Sequence, residues 1–270
     1  MLCERACEGL TQTPITRLLP ARLSLPPFPS PTADLRSLLR ATGVELPWRL
    51  RVRLARDVAR ALAHLHASEI VHRDIKADNV LLDDAWRCVL ADYGFARKAR
   101  MGVAEAMTLL GTDEYMAPEI LWGEPYDERA DVFSLGCLLW SLLARRVPGA
   151  AGFMLREPRT KFKLDFDALR AALPADAPQS LVACAVACCA YEPEGRPSAG
   201  DVVEWMDDLL RELGAGGGSG GDDVPAGVPP PSVITGKGRQ QVAAVAGGGA
   251  DGTMPVTTTM AGDGGSGGIR

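Results

Sequence analysis

Four side chains in the middle of the chain have the types and spacing to act on a phosphate. Asp74, Lys76 and Asn79 fall within six residues, and Asp92 follows eighteen residues after Asp74. Moving a phosphoryl group requires a carboxylate that orients the attacking hydroxyl and takes its proton. It also requires a cation beside the transferring group, and oxygen ligands for a metal that neutralises the triphosphate. Asp74, Lys76 and Asn79 fit these needs in turn, because an Asp and an Asn five positions apart on one loop can face the same phosphate from two sides. Asp92 opens the tripeptide Asp92-Tyr93-Gly94, which taken alone reads as a plain Asp-Gly turn and gains its chemical reading only from the loop at 72 to 79 that precedes it.

These residues need a scaffold, and the flanking periodicity supplies one. Pro47 to Ala67 places Trp48, Val52, Ala55, Ala59, Leu62 and Leu65 on one stripe, which predicts an amphipathic helix. Its other face carries Arg49, Arg53, Arg56 and Arg60; a solvated helix face is the expectation, with an acidic docking surface as the alternative. Val80 to Leu82 and Cys88 to Ala91 read as short strands joined by an Asp83-Asp84 turn, so the candidate residues flank a hairpin. Ala130 to Ala144 is apolar almost all round and predicts a buried central helix. Further helices are expected at Asp165 to Leu173, Leu181 to Ala190 and Gly200 to Leu213.

Five elements in order resemble the eukaryotic protein kinase family. His72-Arg73-Asp74-Ile75-Lys76-Ala77-Asp78-Asn79 is similar to its catalytic loop at every characteristic position, and Asp92-Tyr93-Gly94 to its metal-binding tripeptide with Tyr in place of Phe. Gly111-Thr112-Asp113-Glu114-Tyr115-Met116-Ala117-Pro118-Glu119 resembles the end of an activation segment. Asp131-Val132-Phe133-Ser134-Leu135-Gly136 resembles the opening of the family's central helix, and Arg196 lies in a matching Pro193-Glu194-Gly195-Arg196-Pro197 stretch. The resemblance covers residues 33 to 213. It leans to the tyrosine-kinase-like group through Leu138-Leu139-Trp140 and Cys188, and to serine/threonine specificity through Lys76 and Gly111-Thr112.

The resemblance implies roles. Asp74 is the catalytic base, Lys76 the cation at the transferring phosphate, Asn79 and Asp92 the magnesium ligands, and Leu81 the floor beneath the adenine of ATP. Asp131 would hydrogen-bond the backbone of the catalytic loop, which begins at His72-Arg73-Asp74. Glu119 and Arg196 would form a buried ion pair under the substrate platform. Thr112 would bond Asp74 and Lys76, leaving Thr108 as the activation-segment hydroxyl whose phosphate would pair with Arg73. Tyr115 is expected to be packed.

The family also has a small β-rich lobe with a Gly-rich loop and a strand lysine. Here the first lysine is Lys76, and Gly9 and Gly43 are the only glycines before Gly94. The expected fold is therefore mainly α (α+β), a kinase-like C-terminal lobe with a short β hairpin and no N-terminal β lobe. Such a chain is either an incomplete version of a catalytic serine/threonine kinase acting on protein substrates, or a non-catalytic one-lobed binding protein. In both cases apolar surface around His72, Leu81 and Tyr93 should be exposed for a protein partner.

Composition bounds the rest. Residues 1–32 include Leu25-Pro26-Pro27-Phe28-Pro29-Ser30-Pro31 and are expected to be unstructured, although Arg5, Arg17 and Arg22 give the stretch a trace of transit-peptide character. Residues 214–270 hold 18 of the 29 glycines and should stay outside the fold, since little apolar surface is available there to offset the entropy of ordering. A net charge of −5 gives no general pull toward nucleic acid or an anionic membrane. Seven cysteines without a Cys-x-x-Cys pair favour buried free thiols over a zinc site or disulfides, and with them a cytoplasmic, reducing setting.

Overall fold

The computed structural model describes residues 31–41, 43, 45–98, 114–214 and 228–235. One short strand opens the fold: β1 (Ala33–Asp34) leads directly into α1 (Leu35–Arg40), where Asp34 caps the helix by accepting from Ser37 N at 2.7 Å. The long helix α2 (Trp48–Ala67) follows, then β2 (Ile70–Val71), β3 (Val80–Leu82), β4 (Cys88–Leu90) and β5 (Arg97–Lys98). The remaining helices are α3 (Pro118–Trp122), α4 (Arg129–Ala144), α5 (Phe166–Ala171), α6 (Gln179–Cys188), α7 (Ala199–Gly214) and α8 (Pro231–Thr235).

The β3–β4 hairpin is antiparallel, with Leu81 opposite Val89, and β1 adds a third strand that sets Asp34 opposite Leu81. A second two-stranded ladder pairs Ile70 with Lys98 and Val71 with Arg97. The two ladders bracket the loop 72–79 and hold its ends. That third strand was not evident from the sequence, because a two-residue strand has no periodicity to read.

Helix α4 is the centre of the core: from Ala130 to Leu143 every residue is buried. A helix sealed on all sides must have its C-terminal carbonyls satisfied by protein. Arg51 of α2 does this, donating through Nη1 to Leu142 O and Leu143 O at 3.2 and 3.1 Å and through Nε to Leu46 O at 2.7 Å. Its guanidinium also lies 4.2 Å from the Trp48 ring. Burial lowers the Arg51 pKa to about 10, which leaves it charged at neutral pH. Gly136 sits where α4 meets the end of α6; a Cβ there would stand 2.5 Å from Cys189 Sγ and 2.8 Å from Cys188 Cβ. The five described cysteines are free, and four of them (Cys137, Cys184, Cys188 and Cys189) are buried, as the sequence predicts.

Two expectations change. The arginine face of α2 is largely packed within the chain, with Arg49, Arg53 and Arg56 half-buried and Arg60 exposed. Arg49 donates to Leu210 O at 2.8 Å, Arg53 to Trp86 O at 2.7 Å, and Arg56 and Arg60 both reach Asp207. These side chains pin α2 to α7 and to the hairpin turn, so their apolar stems cover neighbouring structure while their charged ends bond within the chain.

The second change is in the segment expected to lie outside the fold. Pro231–Thr235 forms the short helix α8, with Pro231 buried and Val228 and Ile234 packed on the core. Ser232 N donates to Asp84 Oδ1 at 3.2 Å, the same oxygen that accepts from Thr32 Oγ1 at 2.8 Å. A proline at the first turn of a helix costs no hydrogen bond, so the proline triplet that reads as a breaker instead starts a helix.

Candidate active site

The loop between β2 and β3 is anchored from below by Asp131, in the first turn of α4 and 1% exposed. Its Oδ2 accepts from His72 N at 2.7 Å and its Oδ1 from Arg73 N at 2.8 Å. Oδ2 also lies 3.0 Å from His66 Nε2. Arg73 has φ +71°, a left-handed conformation that a non-glycine residue adopts at a cost of about 1–2 kcal/mol. Two charge-assisted bonds from one carboxylate to consecutive N–H groups hold that conformation.

His72 is fully buried. Asp74 N donates to its Nδ1 at 3.3 Å, which makes Nε2 the protonated nitrogen; Nε2 then donates to Ala91 O at 3.2 Å. Burial lowers its pKa, against the opposing pull of Asp131, the Ala91 carbonyl, Asp74 and Asp92. The ring meets Tyr93 at 5.1 Å between centroids. The surface expected to be exposed is therefore narrower than the sequence suggests. His72 is buried, Leu81 is half-buried, and of the three only Tyr93 is open, at 37%.

The central finding is convergence on Asp74. Lys76 Nζ stands 2.8 and 2.7 Å from its two carboxylate oxygens, and Asn79 Nδ2 donates to Asp74 O and Oδ2, both at 2.8 Å. A single turn of 3₁₀ helix, Ala77–Asn79, folds Asn79 back far enough to reach. Ala91 N then donates to Asn79 O at 2.8 Å, tying the loop to the strand that delivers Asp92. Asp92 is exposed, has φ +62°, and accepts from Gly94 N at 3.2 Å. Asp74, Lys76, Asn79 and Asp92 thus come to one end of one hairpin, with Leu81 on β3, the middle strand of the three-stranded sheet.

Asn79 uses its amide nitrogen on Asp74, which leaves its carbonyl oxygen as an acceptor; Asp92 presents a carboxylate to solvent. Two hard oxygen donors of this kind suit magnesium.

Glu119 of α3 and Arg196 form a buried pair, closest at 2.6 Å. Tyr115 is buried, with its carbonyl accepting from Ser134 Oγ at 2.8 Å. Thr108 and Thr112 lie outside the described residues. Two participants escaped the sequence reading. His66 reaches Asp131, and Tyr126 accepts from Arg73 Nη1 at 2.7 Å. Two histidines at the end of a predicted helix, His64 and His66, were a weak signal for the first; the loop tyrosine gave none.

The family model described as "Protein kinase domain" matches residues 30–206. The chain belongs to the protein kinase family. It is 35% identical over 180 residues to a probable serine/threonine-protein kinase of Dictyostelium discoideum, covering 67% of this chain and 42% of the relative. Identity to the RasGEF domain-containing serine/threonine-protein kinase X of the same organism is 40% over 181 residues, 67% of this chain and 18% of the relative. Identity to human dual specificity testis-specific protein kinase 2 is 35% over 189 residues, 67% of this chain and 32% of the relative. The matched region spans less than half the length of each of these relatives.

Proposed function

We propose that this chain is the large lobe of a serine/threonine kinase that moves the γ-phosphate of ATP to hydroxyls of protein substrates. The observation that carries the reading is the convergence of Lys76 and Asn79 on the Asp74 carboxylate, at 2.7 to 2.8 Å. Asp74 orients the attacking hydroxyl and accepts its proton. Lys76 offers a cation beside that carboxylate, where it can follow the charge that develops on the transferring phosphate. Asn79 fixes Asp74 through its amide nitrogen while its oxygen, together with Asp92, would hold magnesium. Bound magnesium supplies charge neutralisation on the phosphate oxygens. Leu81 gives the adenine an apolar floor on the middle strand of the sheet.

A second reading has one observation in its favour. No lysine precedes Lys76 in the sequence, so residues 1–75 offer none to hold the α- and β-phosphates in the family's manner. On that reading the chain is a one-lobed binding protein. A full set of Asp74, Lys76, Asn79 and Asp92 weighs against it, since binding needs none of the four. The decisive experiment joins residues 31–214 to the Gly-rich lobe of one of the matched relatives and follows phosphate transfer to a mixed protein substrate. Transfer to Ser and Thr that disappears with Asp74→Asn supports the kinase. Transfer that persists at the parent rate in Asp74→Asn rejects the assignment of the base, and no transfer by the folded, joined protein favours the binding reading.

A further inference from the structure

Arg73 is held at both ends by one short stretch of chain. Its backbone N–H donates to Asp131 Oδ1 at 2.8 Å, and its Nη1 donates to the phenolic oxygen of Tyr126 at 2.7 Å. Tyr126 and Asp131 stand five positions apart, on either side of the start of α4. The two bonds fix a residue in the left-handed region, φ +71°, immediately before the candidate base Asp74.

The stretch from Tyr126 to Asp131 is tied down in its turn. Asp127 accepts from Arg129 twice, from N at 2.8 Å and from Nη1 at 2.5 Å. Ala130 N and Asp131 N donate to Asp127 O and Glu128 O, both at 3.1 Å. The Arg129 carbonyl accepts from Arg196 Nη1 at 3.0 Å, which joins the stretch to the buried Glu119–Arg196 pair. Tyr126 is half-buried with its ring packed on the core, and close packing limits how far its hydroxyl can move.

The chemistry of the contact suits a clamp on a catalytic loop. A charged donor makes this bond stronger than one between two neutral groups. The acceptor is neutral: a carboxylate in its place would add negative charge beside a loop already held between Asp74 and Asp131, and like charge raises a carboxylate's pKa. A carboxylate that is to take a proton must stay ionised at the working pH. Phenylalanine would fill the same space against the core, so packing alone does not call for the hydroxyl.

We infer that Tyr126 is a positioning residue for phosphate transfer: by holding the Arg73 guanidinium it sets the backbone from which Asp74 reaches the attacking hydroxyl. It acts through Arg73, and a misplacement of the base by a fraction of an ångström is enough to slow the reaction. The inference rests on the reading of Asp74 as the base, while the clamp on the loop can be measured without ATP.

The test compares four full-length chains: the parent, Tyr126→Phe, Arg73→Met and the double variant. Amide exchange without ATP reads the loop. Tyr126→Phe is expected to speed exchange at residues 72–76 about tenfold with α7 unchanged, and to add nothing in the Arg73→Met background. The same four chains, each joined to the Gly-rich lobe of a matched relative, read catalysis. There Tyr126→Phe should lower kcat about tenfold with the KM for ATP within about twofold of the parent, and again add nothing to Arg73→Met. Should Arg73→Met lose structure, Tyr126→Phe alone decides, through the contrast between residues 72–76 and α7. Exchange that quickens equally in α7 makes the hydroxyl a general stabiliser and overturns the inference. So do additive effects of the two changes, an unaltered loop, or an unchanged kcat in an active parent. A loop that loosens as expected in a joined parent that transfers no phosphate upholds the clamp and counts against Asp74 as a working base.

Discussion

Arg196 and Glu119, 77 positions apart, face each other as a two-pronged pair: Nη1 to Oε1 at 2.6 Å and Nη2 to Oε2 at 2.8 Å. The remaining donors of the guanidinium are also used. Nε donates to Ala190 O at 2.8 Å, Nη1 to Arg129 O at 3.0 Å and Nη2 to Tyr191 O at 3.1 Å. All five N–H groups therefore have an acceptor, the condition under which a charge can be buried. Phe133 closes the site with its ring 5.0 Å from the guanidinium carbon. The pair joins α3, the start of α4 and the 190–196 turn, so it fixes the platform that carries both Tyr115 and Trp122.

Breaking one side of this pair should be worse than removing both. Glu119→Ala leaves a buried guanidinium without its counter-charge and is expected to cost about 3–5 kcal/mol of stability. Glu119→Leu combined with Arg196→Met should cost less than the two single changes added together. Urea unfolding of the four proteins measures this directly; strict additivity would mean the two side chains do not act as a unit.

Asp131 accepts from two backbone N–H groups and meets His66, so Asp131→Asn turns one acceptor into a donor facing other donors. A loss of about 2 kcal/mol is expected, the size of a buried polar group left unsatisfied. The damage should be local first. Amide exchange at residues 70–79 should accelerate more than at α7, and an unchanged exchange pattern there would show that the loop does not depend on this carboxylate.

His72 predicts a pH response. Its folded pKa lies below 6.5, chiefly because burial disfavours the charged ring. Protonation would also put a second N–H on Nδ1, against the Asp74 N–H that now donates to it. Between the folded pKa and 6.5 the unfolded chain binds more protons than the folded one, so stability rises with pH across that window. It is complete above 6.5 and is lost as pH falls through the folded value. Urea midpoints taken from pH 7.5 down to 5 should therefore fall, and His72→Gln should flatten the profile. An equally steep profile in that variant would place the acid sensitivity elsewhere.

Helix α8 should matter to the sheet it touches. Ending the chain at Gly214 removes the burial of Pro231, Ile234 and Val228, and is expected to cost about 1–2 kcal/mol. Because Asp84 links Ser232 to Thr32, the amides of β1 and the hairpin turn should exchange faster. Hydrogen exchange by mass spectrometry reads both; an unaltered rate in residues 31–36 would reduce α8 to an idle contact.

Much of the fold was legible in the sequence because its signals are local. The amphipathic stripe of α2, the all-apolar run of α4 and the turn at Asp83-Asp84 follow from spacing over one or two turns of chain, and the structure has α2, α4 and the β3–β4 hairpin at those places. The candidate residues were legible for the same reason, since Asp74, Lys76 and Asn79 sit within one loop. Tertiary structure decided whatever depends on partners distant in sequence. A row of arginines on a helix looks the same whether it meets water or the carbonyls and carboxylate of α7, 147 to 161 residues away. A Pro triplet in a Gly-rich segment carries no mark of the Asp84 carboxylate, 148 residues earlier, that receives it. His72 reads as surface until Asp131, Ala91 and Tyr93 close around it. Local sequence determines what a segment can form; which face is buried, and which charge is satisfied, is settled only by what folds against it.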